Sequence, residues 1–355
     1  MKVSVDIERK CIEEPVFVDT SREVPQTVRS AVCDDGRIFP AQACKDGAII
    51  IVTAEKEEEL ELTLSDDPAS GSVDIVQGRE ADCLDVMISG RRFTSYVFSD
   101  KFVKPFLGPV FGKNAVGYTR FDLNATEHPH QRSLIVAIGD VNGYDFWNEP
   151  GGKGVEKHER LGKVISGSAY GSLKAHNVWK TKGGEAVVDE SRKFTFYNQS
   201  ESCRYVDIEI IFKASYGRVV FGATKEAGPL GIRMNEKFKV TNGGRMINSY
   251  GGNGERECWG RPAHWCDYSG FSDGCEYGIA VFDSETNLRY PTTWHIRNYG
   301  LLAANNLYFK GPIEIAQGGT LKYRYRVAFH AGGFLESVAD RFVLYANAEK
   351  ELTEN

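Results

Sequence analysis

Two histidines one residue apart, His128 and His130, precede Arg132 in EHPHQRSLIVAIGDVNGYDFWNE (127–149), in a chain with 7 histidines among 355 residues. Residues two apart on a strand point to the same face, so an extended His-Pro-His would aim both imidazoles into one cavity. Paired imidazoles beside a guanidinium can serve as acid and base or steady an oxyanion. They can also ligate a divalent metal if Glu226 or His295 joins from another strand. Downstream, Asp140 and Trp147 offer a hydroxyl-binding carboxylate and an aromatic plane, although DVNGYD reads equally well as an Asn-Gly hairpin turn.

Two further stretches carry the same residue types. In FGATKEAGPLGIRM (221–234), Lys225 and Glu226 follow an apolar strand and precede Arg233. A carboxylate beside an ammonium is a candidate general base whose pKa burial and the cation would set, and a solvated turn is the competing reading. In PTTWHIRNYGLLAANN (291–306), Trp294, His295, Tyr299 and Asn305 interleave rings with polar groups. That mixture suits a carbohydrate, whose C–H face stacks on aromatic planes while polar groups fix its hydroxyls. The catalytic candidates are therefore His128, His130, Arg132, Lys225, Glu226 and His295, and the substrate-binding candidates are Asp140, Trp147, Arg233, Trp294, Tyr299 and Asn305. His128 and His130 are the candidate metal ligands.

Cys258, His264 and Cys266 in CWGRPAHWC lack the CxxC pairs of a zinc site and read as core packing. No P-loop, nicotinamide or flavin fingerprint, GxSxG elbow or HExxH helix is present.

The elements that must position these groups are mostly strands. YVDIEIIF and LKYRYRVAF alternate strictly, and AIIIVTA, ELELTLS, CLDVMIS, RSLIVAI, KFTFYN, RVVFGAT, KFKVTN and YGIAVFD add further candidates. The expected fold is mostly β, a large antiparallel sandwich with a small N-terminal β module (1–80). The sandwich domain (81–355) holds every histidine and tryptophan. Leu335, Val338, Ala339, Phe342, Tyr345 and Ala346 recur at helical spacing, which predicts a C-terminal helix docked by one face.

Composition limits the function. The 43 Lys and Arg are scattered among 49 Asp and Glu, for a net charge of −6, so no basic block exists to neutralise nucleic-acid phosphates. The longest apolar runs, GAIIIV and LIVAIG, fall far short of a membrane span of about 20 residues. Eight cysteines in so long a chain are too sparse for a disulfide scaffold. With no hydrophobic run near the N-terminus, the expectation is a cytoplasmic protein with no membrane or nucleic-acid partner. A homo-oligomer is left open.

EHPHQRSLIVAIGDVNGYDFW, TKEAGPLGIRM, WCDYSG, GIAVFD and PTTWHIRNYGLLAANN, in that order, resemble a bacterial family labelled "methane oxygenase PmoA". KPFLGPVFGKNAVGYTR fits its entry segment. Glu127, Gln131 and Asn298 depart from the family's usual Asp, His and Asp. The oxygenase label conflicts with a chain that has no spanning segment. The resemblance implies a galactose-mutarotase-like supersandwich with His, Glu and Arg on a concave sheet face, in relatives that occur beside sugar dehydrogenases and isomerases. The resulting expectation is a lyase or hydrolase that moves protons on a small carbohydrate, most plausibly a keto-glycoside, with or without a divalent metal. Mutarotase- or epimerase-like chemistry and sugar binding without turnover are the alternatives.

Overall fold

A computed structural model describes residues 1–20, 22–122, 124–149, 154–332 and 335–354, without the side chains of residues 227, 335, 336 and 349–354. The first sheet has six antiparallel strands in the order Lys2–Ile7, Glu58–Ser65, Ser30–Cys33, Ile38–Cys44, Gly47–Ala54, Cys11–Asp19. Alternating apolar residues such as Val5, Ala41, Ile50 and Leu62 close its own core.

Two eight-stranded sheets form the sandwich. One runs Trp294–Arg297, Leu301–Ala304, Ala227–Arg233, Leu134–Ile138, Phe106–Leu107, Arg91–Val97, Cys83–Ile88, Val73–Gln77. Val73–Gln77, grouped by sequence with the N-terminal module, thus pairs into this sheet. The other runs Gly154–Ile165, Tyr170–Thr181, Ala186–Tyr197, Cys203–Lys213, Thr320–Ala331, Cys275–Asp283, Trp265–Ser272, Arg245–Asn248. Here the alternation works as expected: Val206, Ile208 and Ile210 face inward with Tyr323, Tyr325 and Val327. Facing them from the first of these two sheets are Val86, Phe93, Val136, Ile232 and Trp294, an arrangement of stacked sheets sharing one apolar layer.

The helix Leu335–Glu354 lies against the outer face of the third sheet, where Val338, Phe342 and Tyr345 join Phe282, Ala280 and Ala328. Val338, Tyr345 and Ala346 are buried as expected, whereas Ala339 is exposed. Among the described residues no helix is long and apolar enough to cross a membrane.

KFKVTN is not a strand. It forms two 3-10 turns, Glu236–Phe238 and Val240–Asn242. The side chain of Asn235 accepts the Lys237 N–H, and Phe238 is pulled into the core, so local capping and one apolar anchor override the alternation.

Candidate functional site

His128-Pro129-His130 is a turn, not a strand end. His128 takes φ +48, and the Gln131 N–H donates to the His128 carbonyl at 3.0 Å, a reversal that proline at the second position favours. The two imidazoles still meet, with ring centroids 5.8 Å apart. Arg120, which the sequence reading missed, holds the turn by donating to the Glu127 and His128 carbonyls at 2.9 and 3.0 Å.

The turn leads into Leu134–Ile138, and its side chains settle on the outer face of the second sheet. Phe106, Ile135, Ala137, Leu301 and Ala303 pave that face, with Trp147 buried on top of them and Phe102 and Tyr299 beside it. Gly231 lies under Trp147, and a Cβ there would stand 3.2 Å from the indole. His295 is in register with Ala303, and Ala303 with Gly231, so His295 projects from the sheet's edge strand on the same row as the glycine.

His128 stacks on Tyr299 at 4.7 Å, and the Arg233 guanidinium lies 4.9 Å from the same ring. His130 packs 6.1 Å from Trp147. Arg233 is almost fully buried and donates to Gln131 at 2.8 Å, while Glu127 and Glu236 each stand 3.3 Å from its Nη2. Arg132 pairs with Glu149 and lies 4.9 Å from the Phe102 ring. Buried Lys104 reaches the same Glu149 at 3.4 Å and donates to the Trp147 carbonyl at 2.9 Å.

Burial governs the electrostatics. Desolvation first, then the charges of Lys104 and His128, holds His130 down at about 3. Desolvation first, then Arg297, holds His295 down at about 4. Both imidazoles are therefore neutral at neutral pH, each with an Nδ1 that has no hydrogen-bond partner among the described residues. Arg233 Nε and Trp147 Nε1 are unpartnered in the same sense. Four unsatisfied polar atoms around one sheet face are costly unless a ligand completes them.

Lys225 and Glu226 stand at the rim, 3.8 Å apart and partly exposed. Their loop is fixed by Asn305, whose amide donates to the Thr224 and Lys225 carbonyls while its oxygen accepts from Leu307 and Tyr308. Both ends of the Asn305 amide are thus committed to backbone, so it positions the loop.

Two other expectations are corrected. Trp294 faces the inter-sheet core and donates to the Ala263 carbonyl, because its strand neighbour His295 takes the outer face. Asp140 caps the Asn-Gly hairpin by accepting the Gly143 N–H at 2.9 Å. His128, His130 and His295 gather on the outer face and edge of the second sheet and in the turn before it. Among the described residues no group of three or more His, Cys, Asp or Glu side chains could hold a metal ion. Cys258 and Cys266 are buried in the core, as expected.

Lys104, Glu149 and Arg120 are the functional neighbours the sequence reading passed over. The signal for Lys104 and Arg120 was cationic residues within the otherwise apolar, glycine-rich KPFLGPVFGKNAVGYTR, and Glu149 closes the stretch 127–149.

The chain belongs to a family of unknown function (DUF6807), whose model matches residues 83–343. Neither the oxygenase label nor a specifically mutarotase-like assignment follows from that match. None of the curated proteins compared with the chain matches it.

Similar solved structures include a glycoside hydrolase family 97 enzyme in complex with acarbose from Pseudoalteromonas sp. strain K8. It is 11% identical, with a TM-score of 0.41 over 73% of this chain and 35% of the other. The family 36 α-galactosidase AgaA from Geobacillus stearothermophilus is 12% identical, with a TM-score of 0.37 over 68% and 39%. The galactosidase domain of the α-galactosidase-sucrose kinase AgaSK is 9% identical, with a TM-score of 0.38 over 73% and 42%. This chain spans only about a third to two fifths of those chains.

Proposed function

We propose that the chain is a carbohydrate-active enzyme whose site is the outer face of the second sheet between His130, Trp147, Tyr299 and His295. The observation that carries the reading is the set of buried, unpartnered polar atoms on His130, His295, Arg233 and Trp147. A ligand that satisfies such atoms must itself be rich in hydroxyl or carbonyl oxygens, and a sugar is.

The neutral imidazoles set the chemistry. A histidine held near 3 or 4 cannot lend a positive charge at neutral pH, but it can hydrogen-bond a hydroxyl or polarise a carbonyl while remaining neutral. The substrate that fits is a keto-glycoside. Its ketone acidifies the neighbouring C–H, Glu226 takes that proton, and the resulting enolate oxygen is held by an imidazole and the Arg233 guanidinium. The enolate then collapses to the ketone, a new double bond forms between the deprotonated carbon and the anomeric carbon, and the aglycone leaves with the glycosidic electron pair.

The test is release of p-nitrophenol from a p-nitrophenyl 3-keto-glucoside. Wild type should turn over, and Glu226→Gln should lose at least 100-fold in kcat, the scale of a general base. Wild-type turnover in Glu226→Gln and His130→Asn would sink the assignment. Sugar binding without turnover is the second reading. It is favoured by Glu226 standing about one third exposed at the rim, and it predicts saturable binding that survives Glu226→Gln with no chemical change in the ligand.

A further inference from the structure

A large cavity lies away from the histidine cluster. It is an open groove of about 1650 Å³ between the first sheet and the outer face of the third, with Tyr345 of the C-terminal helix in its lining. A pocket for one small ligand is typically about 300–1,000 Å³, so this groove suits an extended one. Its lining carries seven Lys and Arg against four Asp and Glu, in a chain whose net charge is −6.

The cations follow the sheet register. Lys174 is directly opposite Lys193, and Lys193 opposite Glu209, which is opposite Arg324. Glu209 is already taken by Lys322 at 2.5 Å and Arg324 at 3.3 Å. Lys174 and Lys193 make no ion pair among the described residues, and like charges directly opposite on a sheet destabilise it. Lys163 lines the same wall from the neighbouring strand. In the next row Ser172 faces Thr195, and Thr195 faces Asp207, so hydroxyls stand beside the cations. None of the lining rings Phe17, Tyr170, Tyr197, Tyr325 and Tyr345 is exposed, which leaves no platform for stacking nucleic-acid bases.

We propose that this groove binds an acidic oligosaccharide, a short uronic-acid chain whose carboxylates neutralise the Lys163, Lys174 and Lys193 row and whose hydroxyls meet Ser172 and Thr195. Cations on adjacent strands recur about every 4.8 Å, so a chain crossing the strands meets one after another. The groove is separate from the histidine face, so the proposal stands or falls independently of turnover there.

The experiment is titration calorimetry of wild type and of a Lys174→Gln, Lys193→Gln double variant with hexagalacturonate, neutral maltohexaose and inorganic phosphate. Hexagalacturonate should bind wild type, at least tenfold more weakly in the double variant and at least tenfold more weakly at 0.5 M than at 0.05 M salt, roughly as screening requires. Maltohexaose should not bind. The double variant should keep or raise its Tm, since a repulsion is removed. The proposal is overturned if hexagalacturonate fails to bind, if the double variant binds it unchanged, if maltohexaose binds as well, or if phosphate alone binds as tightly. A double variant that melts several degrees lower would show the lysines to be structural and would equally overturn it.

Discussion

His130 and His295 bring a defined acid sensitivity into the fold. An unfolded histidine titrates near 6.5, whereas these hold at about 3 and about 4 because burial opposes their charge. Between those values the unfolded chain binds more protons than the folded one, so stability is lost as pH falls below 6.5. Each group costs roughly 1.4 kcal/mol per pH unit in that window. Urea unfolding at pH 7, 6 and 5 in a Glu156→Gln background, which removes an opposing titration, should show this decline, and His295→Asn should flatten it. An unchanged slope in His295→Asn would mean that the imidazole is solvated.

Glu156 works in the opposite sense. Burial pushes its carboxyl up to about 8 against the pull of Arg192, and one of its oxygens has no partner among the described residues. The folded state therefore binds the extra proton between about 4.5 and 8, and stability falls as pH rises through that range. Glu156→Gln, isosteric with the neutral acid, should remove this alkaline decline while leaving the acid limb in place.

At the scale of elements, the site depends on a close approach between the Ala227–Arg233 strand and the segment carrying Trp147. Gly231→Ala would put a methyl group 3.2 Å from the indole, and the fully buried Trp147 cannot give way freely. The expected cost is about 1–3 kcal/mol by denaturant unfolding, with loss of ligand binding at the histidine face. A stability change below about 0.5 kcal/mol would show that the indole moves easily.

Strand alternation announced most of the architecture, because a half-buried sheet writes its faces into every second residue, as Val206 to Ile210 does. The site was half legible. His128, His130, Tyr299 and Arg233 do converge, since the motifs that carry them flank adjacent strands. The failures have two causes. Period alone does not say which face of a strand looks outward when both are covered, so Trp294 could not be told from His295. Nor could turn chemistry be weighed against strand propensity at Pro129 or at KFKVTN. Glu127 and Gln131 both hold Arg233, a role that only the tertiary contact reveals.

At the scale of the whole molecule, three bodies meet at one guanidinium. Arg326, on the third sheet, donates to Asp207 of the adjacent strand at 2.6 and 2.9 Å and to Glu14 of the first sheet at 2.8 Å. Its guanidinium lies 5.0 Å from the ring of Tyr345 on the C-terminal helix. Glu14 is nearly fully buried and also accepts from the Tyr205 hydroxyl at 3.0 Å. Burial drives its carboxyl upward and Arg326 is the leading opposing influence, so the charge on Glu14 depends on that pairing.

Arg326→Met keeps much of the packing against Tyr205 and Tyr345 but takes the guanidinium away from two carboxylates. Breaking a buried pair from one side costs about 3–5 kcal/mol, and here the loss falls on the contact between the first sheet and the sandwich. Glu14→Leu combined with Arg326→Met should recover part of that cost, because the first sheet then brings no unpaired carboxylate to the junction. If the double variant is as unstable as Arg326→Met alone, the Asp207 pairing holds the guanidinium, and the first sheet is held by its other contacts, such as Gln199 donating to the Glu13 carbonyl at 2.8 Å.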